Sequence, residues 1–74
     1  MACKIGVAIN PGERERHWEG KHANLRNWQI LGTYKTKASA LQAKRAFIKN
    51  HGCNDAGATD GNEEARWVAY YFEY

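Results

Sequence analysis

The chain lacks the features that most enzymes and membrane proteins carry. No apolar run approaches the roughly 20 residues of a membrane-spanning helix, so no membrane partner is expected. There is no Gly-rich phosphate loop, no G-x-S-x-G and no H-E-x-x-H, the spacings that cradle phosphate, expose a nucleophile or hold a catalytic zinc. Glu13, Glu15, His17, Glu19 and His22 crowd one segment, but they fall on a predicted loop, where a productive acid–base geometry is hard to hold. No catalytic residue is assigned and no enzyme is expected. Cysteine is scarce: Cys3 and Cys53 stand 50 residues apart and form no C-x-x-C pair. Residues 1–7 show no signal-peptide layout, so two reduced thiols in a cytoplasmic protein are expected. His51 and Cys53 offer two ligands where a structural zinc takes four. Asp55, Asp60, Asn62, Glu63 and Glu64 miss the spacing of a calcium loop. No metal and no cofactor are expected.

What is present describes a small domain. The 74 residues are 43% hydrophobic and 26% charged, a balance typical of one soluble globular unit spanning 1–74. So short a chain builds a thin core, which places function on a face, a loop or a shallow groove. The charge is uneven. Residues 1–52 hold ten of the Lys and Arg against three Glu, and residues 53–74 hold Arg66 against five acids, so a net +3 divides into +7 and −4. A basic body with an acidic segment suits a polyanion or an acidic protein surface.

Residues 4–10 alternate, with Ile5, Val7 and Ile9 on one side and Lys4, Gly6 and Ala8 on the other, which reads as a half-buried strand. Asn10-Pro11-Gly12 reads as the turn that stops it. Residues 13–27 show no period and read as a long connection with Trp18 and Leu25 as its large apolar residues. Residues 28–34 read as a second strand, with Trp28, Ile30 and Tyr34 opposite Gln29, Leu31 and Thr33. Residues 37–50 read as the one helix. Thr36 caps it, Ala40, Leu41, Ala43, Phe47 and Ile48 form its apolar stripe, and Gly52 ends it. Lys44 sits near the middle of that stripe, as a lysine snorkelling at a sheet edge or one turned toward a partner. Residues 53–65 read as an acidic loop. Residues 66–74 carry the strongest strand signal, with Val68, Tyr70, Phe72 and Tyr74 opposite Trp67, Ala69 and Tyr71. The expected fold is α+β, in the order ββαβ. It has a three-stranded antiparallel sheet of order 2-1-3 with the helix on one face and the other face open.

Three surfaces could bind. The open face would show Lys4, Gly6, Ala8, Gln29, Leu31, Thr33, Trp67, Ala69 and Tyr71. There Trp67 and Tyr71 could stack bases, or lie flat over Gly6 and Ala8 as a second small core. In the 13–27 segment, Arg14, Arg16, Lys21 and Arg26 could hold phosphates while Trp18 stacks or wedges. Lys37, Arg45 and Lys49 make a basic strip on the outside of the helix.

Trp28-Gln-Ile-Leu-Gly-Thr-Tyr-Lys-Thr and the Ala-rich helix after it resemble the last strand and helix of the AP2-type DNA-binding domain. The matching positions are Leu31, Gly32, Thr33, Tyr34, Thr36, Ala40 and Ala43. The same stretch resembles the Tyr-x-[Ser/Thr]-Lys junction of small YegP-like domains. Either likeness spans about 20 residues, 28–47. The first implies DNA binding, but AP2 domains set their base-reading residues on a three-stranded sheet ahead of the helix. Here a strong strand follows the helix instead, so no base-reading residue is carried over. The leading expectation is a non-enzymatic nucleic-acid-binding module. The alternative is a small protein that binds and blocks another protein, such as a phage- or plasmid-encoded inhibitor of a nucleic-acid-processing machine. Aromatic and arginine-rich interface cores suit that role. Edge pairing of the final strand would make a homodimer.

Overall fold

The computed structural model describes residues 2–74. In chain order the elements are β1 (Cys3–Ala8), α1 (Pro11–Lys21), β2 (Arg26–Thr36), α2 (Lys37–His51), β3 (Asn54–Ala58) and β4 (Glu64–Glu73). The fold is α+β, with a helix and a strand more than the sequence reading expected. The four strands form one mixed sheet in the order β2-β4-β1-β3. β1 runs antiparallel to β4 and parallel to β3, and β2 runs antiparallel to β4.

The expected hairpin between the first two strands is absent. β4, the most apolar strand, lies between β1 and β2 and pairs with both. Its edges are therefore spent, and the homodimer expected from edge pairing of the final strand has no free edge there. The free edges belong to β2 and β3. β1 and β2 are instead joined by a crossover through α1, and β2 and β3 by one through α2. Crossovers between parallel strands are right-handed in nearly every fold. These two travel in opposite directions across the sheet, so their helices fall on opposite faces.

α1 occupies residues expected to be an irregular connection. Asn10 and Pro11 start a helix here rather than a turn. The Asn10 side chain accepts a hydrogen bond from the Glu13 amide at 3.2 Å, and Pro11 sits in the first turn, where its missing N–H costs nothing. Trp18 is the helix's one buried residue. α2 matches its sequence reading: the Thr36 hydroxyl accepts from the Ser39 amide at 3.1 Å, and Gly52 closes the helix at φ 67°, a conformation glycine adopts without strain.

The face assignments divide. Val7, Ala40, Trp67 and Ala69 form a buried cluster beneath α2, joined by Leu31, Tyr34, Leu41 and Phe47. Ala8, Trp18, Tyr70 and Phe72 form the cluster on the α1 side, joined by Leu25, Trp28, Ala56 and Tyr74. β1 faces as expected, but β4 is the other way round. Trp67 and Ala69, expected on the open face, lie beneath α2. In β2 the simple alternation fails because three register irregularities interrupt its pairing with β4, and each bulge re-aims the side chains after it.

Cys3 and Cys53 form a disulfide, with Cα atoms 4.9 Å apart; the expected reduced thiols are corrected. The cause is the parallel register, in which Lys4 lies beside Asn54, so the preceding residues of the two strands meet. Closing a loop of this length restrains the unfolded chain by on the order of 4 kcal/mol. It anchors β3, whose Asn-Asp-Ala-Gly-Ala sequence carries little strand propensity. Lys44 also serves this edge. It is buried, and its ammonium meets the Asp55 carboxylate of β3 at 3.0 Å, so it neither snorkels into water nor faces a partner.

Candidate functional site

The expected binding residues lie on both sides of the sheet. Lys37, Arg45 and Lys49 belong to α2, with Lys37 at 5.3 Å over the Trp67 ring. Trp67 is fully buried and its indole N–H donates to the Asn62 carbonyl at 2.9 Å. Tyr71, half-buried, donates its hydroxyl to Glu73 at 2.5 Å. That hydrogen bond to Glu73, with burial added, holds the Tyr71 hydroxyl above its ordinary pKa. The Tyr71 and Asn27 hydrogen bonds hold the Glu73 carboxyl below its own. Asn27, whose φ of 56° is the left-handed value that asparagine tolerates, donates to Glu73 at 2.6 Å and ties the start of β2 to the end of β4. Trp67 is therefore no free stacking platform, while Tyr71 keeps part of its ring at the surface.

On the other side, Arg14, Trp18 and Lys21 come together on one face of α1, Arg16 is exposed on the opposite face of that helix, and Arg26 opens β2. Trp18 is committed to the fold by one chain of causes. Gly6 has no side chain, and a Cβ there would stand 2.5 Å from the Tyr70 hydroxyl. Tyr70 therefore lies flat across β1, and its hydroxyl accepts the Trp18 indole N–H at 3.0 Å. Tyr70 thus fills the place over Gly6 that the sequence reading gave to Trp67 or Tyr71. Phe72 packs against the same indole at 5.4 Å. Lys4, Arg14 and Lys21 stand 4.6, 5.7 and 5.8 Å from its ring, within cation–π range. Trp18 therefore works as the pin of α1 and its cations as the pin's collar.

α1 covers only part of its face. Beyond it, toward the free edge of β2, a strip of sheet stays open. Ile30 is 50% exposed there and Ile9 39%, the two large apolar side chains left to solvent among the described residues. Ile9, Pro11, Ile30, Thr33, Arg66 and Val68 line a groove of about 280 Å³. Next to it, Tyr34, Lys35 and Ala65 join Thr33 and Arg66 around a hollow of about 400 Å³. Trp28, half-buried, stacks on Tyr70 at 4.8 Å and extends the strip toward Arg26. The surface has an apolar floor with Arg66 and Lys35 beside it.

Sequence reasoning assigned Trp28 and Ile30 to the covered face and left Lys35 and Arg66 out. The Asn10-Pro11-x-Glu13 start signal would have placed a helix over this side of the sheet. Nothing in the sequence marks the bulge after Ile30 that parts Trp28 and Ile30 from Tyr34. No family model, curated protein or solved structure matches the chain, so the likenesses of residues 28–47 stand on those residues alone. No helix among the described residues is long and apolar enough to cross a membrane.

Proposed function

We propose that the chain is a small protein-binding module whose contact surface is the open strip between α1 and the free edge of β2. The observation that carries this reading is the Ile9, Pro11, Ile30 and Val68 groove, an apolar floor that α1 leaves uncovered and that Arg66 overlooks. Interfaces centre on such apolar patches with arginine and aromatic neighbours, and small soluble domains keep few of them without a use. The rim cations suit an acidic partner surface, and a blocker of a nucleic-acid-processing machine is a role of this kind. The nucleic-acid reading has one observation in its favour, the clustering of Lys4, Arg14 and Lys21 around Trp18. Two of its stacking residues, Trp18 and Trp67, are buried, which leaves the half-buried Tyr71.

The test is capture of partners on immobilised protein, comparing Ile30→Asp, Arg66→Glu and, on the opposite face, Arg45→Glu. A partner held by the parent chain and by Arg45→Glu, and lost by the other two, supports the strip. Equal capture by all four removes it. Tryptophan quenching by single-stranded or duplex oligonucleotides that weakens steeply with salt would return the account to nucleic acid.

A further inference from the structure

A second cavity meets the strip only at Ile9, at the carboxyl ends of the neighbouring parallel strands β1 and β3. There the chain leaves β1 for α1 and leaves β3 for residues 59–63, and the divergence opens a cleft of about 340 Å³. Crevices outside the carboxyl ends of parallel strands are where open α/β sheets hold small ligands, and this volume is within the range of such sites. Glu13, Arg14 and His17 line it from α1, and Thr59 and Asp60 from the other side, over a floor of Ala8 and Ile9.

The charges of this cleft do not satisfy one another. The one ion pair within 4 Å among the described residues is Lys44 with Asp55, elsewhere on the sheet. Arg14 therefore shares a cleft with the carboxylates of Glu13 and Asp60 and pairs with neither. Its Nε is shut off from solvent and has no hydrogen-bond acceptor, a rare condition for a buried donor. Burial, with Arg14 and Lys21 beside it, holds the His17 imidazole below its ordinary pKa. The shift favours the neutral imidazole of His17, and Arg14 is the standing positive charge of the cleft.

A ligand of one sign would meet repulsion here: an anion from Glu13 and Asp60, a cation from Arg14. A small molecule carrying both signs would meet neither if its ends were suitably placed. We infer that the cleft binds a small zwitterion, with its carboxylate or phosphate on Arg14 and its ammonium on the Asp60 and Glu13 side. The acid group would be held by the Nη donors of Arg14, which carry no hydrogen bond among the described residues, and a guanidinium can grip it with two of them. The neutral imidazole of His17 would add a hydrogen bond without a charge. This inference does not depend on the protein-binding reading, since its charged residues lie outside the groove of Ile30 and Arg66.

The test is an amide and imidazole NMR titration of the whole chain at pH 7. The probes are β-alanine and phosphoethanolamine, which distinguish a carboxylate from a phosphate ligand. Propionate and ethylamine are the single-charge controls. The expected result is saturable shifts at residues 10–17 and 59–60 with at least one zwitterion, and binding at least about tenfold weaker for both controls. Asp60→Asn, on an exposed segment, should weaken the zwitterion by about tenfold, and Arg14→Lys, which keeps the charge but loses the fork, should weaken it too. Equal response to the single-charge controls, shifts confined to other residues, or no saturable response to either zwitterion would overturn the inference.

Discussion

α2 meets the sheet through a row of side chains, Ala40, Leu41 and Phe47, laid over Val7, Trp67 and Ala69. α1 meets it through one indole, Trp18, whose N–H is received by Tyr70. Both helices are capped and both have a cation near their last carbonyls. Caps and propensities therefore do not separate them. What separates them is how much apolar surface each takes from water, and most helical stability in a protein comes from that burial. The α2 side is a core in the ordinary sense. The α1 side is a covered patch beside an uncovered one, and the uncovered part is where an interface has room to form.

The sharpest way to break this comparison is to truncate the central indole on each side. Trp67→Ala should cost about 3–5 kcal/mol of global stability, read as a lower denaturant midpoint. Trp18→Ala should cost less, about 1–3 kcal/mol, because α1 can loosen while the sheet and α2 persist. Circular dichroism should then show loss of one helix before the main transition. Equal costs with a single transition would mean that the two sides fold as one unit.

The caps give a smaller and finer test. Asn10→Ala removes the acceptor for the Glu13 amide, and Thr36→Ala the acceptor for the Ser39 amide. Each should cost about 1 kcal/mol if its helix stays folded. The α1 variant should show its loss as local fraying, with faster amide exchange over residues 11–21. The α2 variant should show its loss in the global midpoint.

The smallest effect comes from acid. Asp55 is pushed up by burial, but the Gly57 amide and Lys44 outweigh this and hold its carboxyl below the ordinary value. Glu73 is lowered by Tyr71 and Asn27. A lowered folded-state pKa contributes stability that is fully present above the ordinary carboxylate range. It is lost as pH falls through the lowered values. Asp55 is exposed and Glu73 half-exposed, so the effect is modest. A stability profile over that range should decline in the parent chain and decline less in Asp55→Asn and Glu73→Gln. An identical decline in all three would assign the acid response to other carboxylates.

Legibility in the sequence followed the source of each element's order. β1 and α2 were readable because their apolar periodicity is what holds them, and Thr36 and Gly52 mark the helix ends. β4 was readable as a strand for the same reason. Its facing was not, because a strand with large apolar residues on both sides carries no mark of which helix each side will meet. α1 is hidden by having one apolar anchor, so its Asn10-Pro11 start reads as a turn. β3 was hidden because backbone pairing to β1, the disulfide and the Lys44–Asp55 pair hold it, and none of these shows in Asn-Asp-Ala-Gly-Ala. Lys44 was visible as an oddity in its stripe, while its partner lay on a strand that propensity does not reveal. The candidate site suffered most, because its outline depends on bulges in β2 and on how far α1 reaches.

The division between the two faces is tested most directly by native-state hydrogen exchange, amide by amide, in the unmodified chain. The account predicts that α2 amides in its middle turns exchange with free energies near that of global unfolding. Those of α1 should exchange through a smaller local opening that is insensitive to low denaturant. Equal protection of the two helices, rising and falling together with denaturant, would contradict it.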